Sequence, residues 1–270
     1  MAIFRKTLLI TLTALLAVAL IHTIHALTLD KIIEFKEITF YSPKAGGDLD
    51  GYRIAFISDI HLLPEDDLIS TVAKLNGKHT DLLVLGGDYT TDSKALSRMM
   101  EILSRIETAD GIFGVEGNHD RYRKLTAAMS EYSITPLYNT GYRIGNNLYI
   151  AGVGDQWQQN ADIASAIEGA DDGDFVLLAA HNPDIAMTQK TEGIDLILSG
   201  HTHGGQITLF GLWAPYFTIS DSITRYGQRF RSGWSESRDG VPVYVGNGAG
   251  EYMLRVFARP QVIIITLKFK

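Results

Sequence analysis

Residues 51–61 read Gly-Tyr-Arg-Ile-Ala-Phe-Ile-Ser-Asp-Ile-His. Tyr52 to Ser58 (YRIAFIS) is a short apolar run without a polar alternation, which predicts a strand covered on both faces, as in a sheet lying between two layers. The run stops at Asp59-Ile60-His61. In extended chain residues i and i+2 project to the same side, so Asp59 and His61 offer a carboxylate and an imidazole to one place. That place is where the strand leaves its sheet, and open α/β sheets build ligand sites beyond the carboxyl ends of their strands.

The same arrangement recurs along the chain. Asp81 to Leu85 (DLLVL) is followed by Gly86-Gly87-Asp88, and Gly111 to Val115 (GIFGV) by Gly117-Asn118-His119-Asp120. Phe175 to Ala179 (FVLLA) is followed by His181-Asn182, and Asp195 to Leu198 (DLIL) by Gly200-His201-Thr202-His203. Helix-like segments over Asp67 to Asn76 and Ser93 to Glu107 separate the first three runs, as parallel crossovers require. Later, Tyr142 to Gly152 contains the hairpin-turn composition Gly145-Asn146-Asn147, while Val241 to Val245 and Val262 to Phe269 read as strands with no helix between them. This pattern predicts a pair of mixed sheets with helices outside. With no repeat, low-complexity tract or Pro/Ser-rich linker, residues 30–270 read as one domain.

Composition narrows the chemistry. The chain has 270 residues, 46% of them hydrophobic and 20% charged, enough apolar side chains for a sizeable core. It has no cysteine, which excludes disulfides, thiolate metal sites, iron–sulfur clusters and a Cys nucleophile. A net charge of −7 argues against binding nucleic acid by bulk phosphate neutralisation, so no nucleic acid partner is expected. No protein partner is indicated either.

The apolar residues concentrate at one end. Thr7 to Leu29 carries no charge and follows Arg5-Lys6; as a helix it would reach about 35 Å, enough for a ~30 Å hydrocarbon core. Residues 1–29 are therefore expected to form a single-pass N-terminal transmembrane anchor. The rival is a cleaved signal segment, with Ala17-Val18-Ala19 as a small-x-small site. Arg5 and Lys6 on one side and Lys31, Lys36 and Lys44 on the other leave the membrane face of the domain open. His22 and His25 are expected to be interfacial. Without this segment the chain has 22 basic and 31 acidic residues, a net of −9.

Of the eight histidines, five lie at predicted strand ends: His61, His119, His181, His201 and His203. Imidazole, carboxylate and amide donors together suit Mn, Fe, Zn or Co rather than the all-oxygen cages of Ca and Mg. Their number exceeds what one ion needs while leaving room for substrate, so two ions are implied. The flanking glycines permit close backbone approach.

The set Asp-x-His, Gly-Gly-Asp, Gly-Asn-His-Asp, a lone His and Gly-His-Thr-His resembles the calcineurin-like metallophosphoesterase family over about Arg53 to His203, and less specifically to Lys270. The resemblance implies a four-layer α/β/β/α sandwich of two mixed sheets. It also implies one metal on Asp59, His61, Asp88 and His203 and a second on Asp88, Asn118, His181 and His201, with Asp88 shared. By the same resemblance His119 is catalytic, contacting or protonating the leaving group, and Asp120 orients it. Manganese is the first expectation, with Fe, Zn or Co as alternatives. Two such ions clamp a phosphoryl group and activate a bridging water. Two cations against Asp59, Asp88 and a hydroxide leave a charge of about +1 facing an anionic substrate.

The expected reaction is hydrolysis of a phosphodiester or pyrophosphate by the metal-bridged hydroxide. The Gly204-Gly205-Gln206 extension, the later GAGEYMLRVFARP and the N-terminal segment resemble the family's bacterial membrane-associated branch, which includes small phosphodiesterases and UDP-2,3-diacylglucosamine pyrophosphatases. The resemblance implies a bacterial cell membrane location and a lipid-linked phosphoester, such as a UDP-diacylglucosamine, as the expected substrate. The alternatives are a phosphomonoesterase or protein phosphatase, and a non-catalytic metal-binding scaffold. Phe210, Trp213, Tyr216, Phe217, Tyr226, Phe230 and Trp234, interleaved with Arg225, Arg229 and Arg231, read either as a lid over an acyl chain and phosphate or as packing of a long loop. Arg121, Arg123 and Lys124 are surface charge or a contact to a second phosphate. Asp155 supports a ligand or makes a turn, and His79 is structural or on the surface.

Overall fold

The computed structural model describes residues 2–145, 147–251 and 253–270. Six strands form the first sheet: β1 (Glu34–Ser42), β2 (Arg53–Ile57), β3 (Leu82–Leu85), β4 (Ile112–Gly114), β5 (Thr135–Pro136) and β12 (Gln261–Phe269), in the order β1-β12-β2-β3-β4-β5. Strands β2 to β5 are parallel, and β12 runs antiparallel to β2 while pairing parallel with β1. The second sheet takes β6 (Thr140–Ile144), β7 (Leu148–Gly152), β8 (Phe175–Ala179), β9 (Leu196–Ser199), β10 (Gly233–Glu236) and β11 (Pro242–Val245), in the order β10-β11-β9-β8-β7-β6. Its four central strands are parallel and both edges antiparallel.

Strand pleating explains why the runs are continuously apolar. Ile54 and Phe56 of β2 and Leu82 and Val84 of β3 point between the sheets, against Ile150, Leu177 and Leu198. Their neighbours Ala55, Ile57, Leu83 and Leu85 point outward, against the helices α2 (Glu65–Asn76), α3 (Leu96–Leu103) and α4 (Tyr122–Glu131). In the second sheet Ala151, Leu178 and Ile197 face α5 (Ile163–Ile167) and α6 (Ile185–Thr188). The central strands thus bury both faces, giving the expected α/β/β/α sandwich of two mixed sheets. Each fully buried Leu, Ile or Phe is stabilised by about 1.5–3 kcal/mol.

Differences from the sequence reading have local causes. The helix expected over 93–107 is regular only at Leu96–Leu103. Before it, the Asp92 side chain accepts the Lys94 N–H at 2.9 Å, closing a turn instead. Strand β1 has no counterpart in the sequence reading, because Lys36 and Glu37 interrupt its apolar residues. It lies at the sheet edge, where such charges are ordinary. The turn residue Asn146 lies outside the described residues, although β6 and β7 pair as the expected hairpin.

The N-terminal helix α1 (Ala2–Leu27) is long and apolar enough to cross a membrane, and apart from Ala26 near its end its described apolar side chains are not buried in the protein. Asp30, fully buried below it, accepts the Phe257 N–H at 2.8 Å and the Ala258 N–H at 3.1 Å, with His25 Nδ1 at 2.8 Å.

Candidate metal centre

The loops leaving β2, β3, β4, β8 and β9 converge at one end of the sandwich. Strand β2 delivers Asp59 and His61, β3 Asp88, β4 Asn118 and His119, β8 His181, and β9 His201 and His203. Five of these residues, Asp59, His61, Asp88, His201 and His203, hold left-handed backbone conformations with φ of 52°, 44°, 57°, 70° and 50°. Such conformations are unfavourable for side chains with a Cβ and persist where the surroundings enforce them. The chain has left extended geometry at these positions, so positive-φ turns rather than the two-residue repeat of a strand aim Asp59 and His61 into one group and send His201 and His203 to different ones.

Two glycines make room for the carboxylates. A Cβ on Gly117 would lie 2.2 Å from Asp88 Oδ1, and one on Gly200 would lie 2.3 Å from Asp59 Oδ2. Only glycine allows the backbone so close.

The donors fall into two buried groups, Asp59 with His61 and His203, and Asp88 with His181 and His201; within each group the donor atoms lie within 4.8 Å of one another. His61 Nε2 is 3.2 Å from His203 Nε2, and His181 Nε2 is 3.1 Å from His201 Nδ1. Asp88 Oδ2 reaches into both groups, 3.2 Å from His181 Nε2 and 3.5 Å from His61 Nε2. Asn118 Oδ1 adds an amide oxygen 3.1 Å from His181 Nε2.

Outer hydrogen bonds fix how two of the rings present themselves. His181 donates from Nδ1 to the Gly86 carbonyl at 2.8 Å, and His201 from Nε2 to the Ile223 carbonyl at 2.9 Å. In the neutral rings the facing nitrogens, His181 Nε2 and His201 Nδ1, are then both acceptors. Two acceptors 3.1 Å apart need a positive charge between or upon them. Burial opposes a charge on His181, but Asp88 and Asp59 overcome it and lift the ring to about 10. Burial pushes His201 down to about 3 and His203 well below the usual histidine range. Without a metal, a proton on His181 satisfies the cluster; a divalent ion satisfies it with more charge. The nitrogen and oxygen donors suit Mn, Fe, Zn or Co, so the residues fit the expected pair of ions.

His119 is exposed at the mouth, its ring 5.3 Å from that of His61 and nearly perpendicular to it, with its N–H donating to Asp88 Oδ1 at 2.8 Å. Asp120 lies behind, accepting the N–H groups of Asp88 and Gly117 at 2.8 Å each and of Tyr89 at 3.3 Å. It ties together the loops that carry Asp88 and His119. Burial, with Asp88 adding to it, pushes this carboxyl up to about 7.

Residues around the mouth sort the remaining expectations. Arg121 and Lys124 line a cavity of 230 Å³ with His119, Thr90 and Ser93, whereas Arg123 is not among its lining residues. Asp155 takes the turn role, accepting the Gln158 N–H at 2.9 Å. His79 is exposed, away from the site. The aromatic loop does not form one lid: Phe217 and Phe230 are buried, and Trp234 packs on Phe40 and Tyr244 between the sheets' edges. Arg231 donates to the carbonyls of Gly204 at 3.1 Å and Gly211 at 2.7 Å, fastening the loop to the metal-site backbone.

Two neighbours carry no local sequence mark of a site role, although Arg255 lies within GAGEYMLRVFARP. Trp157 stands edge-on to His201 with ring centres 4.6 Å apart and borders a cavity of 640 Å³ that Arg225 and Asp184 also line. Arg255 is buried behind His203, donating to the carbonyls of Gly250 at 2.6 Å, Ala258 at 2.8 Å and His203 at 3.3 Å. Only the fold brings either one to the site.

Comparison with known proteins agrees with this geometry. The chain is 28% identical over 253 residues to the uncharacterized metallophosphoesterase YkuE of Bacillus subtilis, covering 88% of this chain and 86% of that one. It is 28% identical over 236 residues to the phosphodiesterase YaeI of Escherichia coli, covering 80% and 82%. It is also 28% identical over 291 residues to a transmembrane protein with metallophosphoesterase domain from Danio rerio, covering 98% of this chain but 63% of that protein. The calcineurin-like phosphoesterase profile matches residues 52–205, the stretch that supplies every one of these metal donors, and the chain belongs to that family of metal-dependent phosphoester hydrolases.

Proposed function

We propose that this chain is a membrane-anchored phosphodiesterase or pyrophosphatase acting on a lipid-linked phosphoester, with a UDP-diacylglucosamine as the model substrate and residues 30–270 as its phosphoesterase domain. The observation that carries the hydrolytic part is the meeting of two buried donor groups at Asp88, beside the exposed His119. Helix α1 supports the anchor, and the pairing of β1 with β12 along their length supports a domain closed by its own ends.

In this reading Asp59, His61, Asp88 and His203 hold one ion, and Asp88, Asn118, His181 and His201 the other, with manganese as the native metal. When bound, the ions supply Lewis acidity and a water activated near neutral pH. His119, open to solvent, gives a proton to the departing oxygen. Asp120 positions it by holding the loop on which it sits. In the cavity beside His119, Arg121 and Lys124 bring positive charge to the departing group, which suits a second phosphate.

The test is a panel of the manganese-loaded full chain on bis-p-nitrophenyl phosphate, p-nitrophenyl phosphate, nucleotide sugars and lipid phosphoesters. The expected order places diesters and pyrophosphates above monoesters. A strong preference for the monoester overturns the diester reading in favour of a phosphomonoesterase or protein phosphatase. Stoichiometric metal without turnover on any member points to a scaffold.

A further inference from the structure

The loop that follows the last metal donor carries no charge from Gln206 to Ile219, yet it is not packed away. Leu212 is 81% and Ile219 83% exposed, and Ile207, Leu209, Phe210, Trp213 and Tyr216 are exposed as well. Exposed apolar side chains scattered singly need no explanation, but a contiguous uncharged stretch of them marks an interaction surface.

Its position says what covers it. The Phe210 ring lies 4.6 Å from that of His22, and the Phe210 N–H donates to His22 Nε2 at 3.4 Å. Phe257 completes the contact, 4.8 Å from the His22 ring and stacked on His25 at 3.8 Å. His22 lies five residues before the end of α1 at Leu27, which at ~1.5 Å per residue is about 7–8 Å inside the helix end. A loop packed at that level shares the depth of the helix's terminal turns. When α1 spans a bilayer, this depth falls at the boundary of headgroups and acyl chains.

The loop is built for that boundary. Its backbone groups bond internally: Leu209 N–H to the Trp213 carbonyl at 2.8 Å, Leu212 N–H to the Leu209 carbonyl at 3.0 Å, and Gly211 N–H to Thr208 Oγ1 at 2.9 Å. The Trp213 indole donates to Thr218 Oγ1 at 2.9 Å. These bonds satisfy several of the loop's polar groups within the protein, as a lipid-facing surface favours. Trp and Tyr beside apolar side chains are the composition of the membrane interface.

We infer that residues 207–219 form a bilayer-seated platform: a lipid surface receives Leu209, Phe210, Leu212, Trp213 and Ile219 beside α1. The inference rests on the reading of α1 as an anchor and extends it from a tether to an oriented contact. Arg231 donates to the carbonyls of Gly204 and Gly211, which ties the platform to the backbone next to His203. The metal centre is thereby held close to the headgroup plane.

The chain has no cysteine, so single labels are unambiguous. Leu212→Cys, Ile219→Cys and, on exposed surface away from α1, Asp172→Cys are nitroxide-labelled in the full chain reconstituted into phosphatidylethanolamine–phosphatidylglycerol vesicles. The labels at 212 and 219 are expected to lose collisions with a water-soluble nickel chelate and gain them with oxygen, while the label at 172 does the reverse. Retention of the chain after an alkaline wash, with all three labels equally open to nickel, overturns the platform and leaves the anchor standing. Release of the intact chain by the wash overturns the anchor and the platform together. Spin–spin broadening at 212 or 219 that disappears on dilution with lipid shows a second copy covering the face and also overturns the inference. Unchanged thermal unfolding of each variant before labelling establishes that it is folded.

Discussion

Asp88 is the side chain on which both donor groups meet, and its position depends on Gly117. Replacing Asp88 with Ala is expected to release both ions and abolish turnover, read as metal content after desalting and as rate; retained turnover contradicts its shared role. Gly117→Ala tests the same point from the backbone. Its new Cβ would stand 2.2 Å from Asp88 Oδ1, so the carboxylate must move, and metal content should fall while the far-UV spectrum is kept. His119→Ala should separate binding from chemistry, because the ring lies outside both buried donor groups. The variant is expected to keep its metal and to lose about 10²–10⁴ in rate. Most of the candidate donors are legible individually, since each follows an apolar run. The roles of Trp157 and Arg255 are not: Trp157 sits in no motif, Arg255 lies within GAGEYMLRVFARP with nothing local to mark it as a site residue, and both reach the site only through chain crossings far away in sequence.

At the scale of elements, continuous apolar runs revealed buried strands, and both faces of β2 and β3 are indeed covered. Edge strand β1 escaped detection because it is charged where it meets solvent. The junction between α1 and the sandwich is stapled by Asp30, whose carboxylate serves His25 five residues before it and Phe257 and Ala258 across more than 220 residues of sequence. Asp30→Ala leaves two backbone N–H groups without their acceptor. A loss of about 1–3 kcal/mol for each buried orphaned group is expected, measured as a lower denaturant midpoint with unchanged slope. Full stability in this variant would mean that α1 and the domain are joined by apolar contact alone.

For the whole molecule, charge and metal are linked. The chain is acidic overall, and its buried cluster gathers imidazoles and carboxylates into two groups that divalent ions would fill. Ions bound only by the folded state stabilise it by about 2.7 kcal/mol at a hundredfold excess over Kd. Chelation is therefore expected to lower the melting temperature reversibly, with restoration by manganese; a melting temperature indifferent to chelator contradicts a metal-stabilised core. The sequence by itself determined the layered class, the order of the strand-end motifs and the residue types at the candidate site, because burial on both faces of a strand and the polar motif that ends each apolar run are written locally. It also marked α1 by length and composition. Only the tertiary structure decided that Asp88 reaches both groups, that Asp120 braces loops, and that residues 207–219 lie against His22. Those relations depend on distances between segments 30 to nearly 200 residues apart, which no local pattern encodes and which the packing of two sheets and one helix fixes.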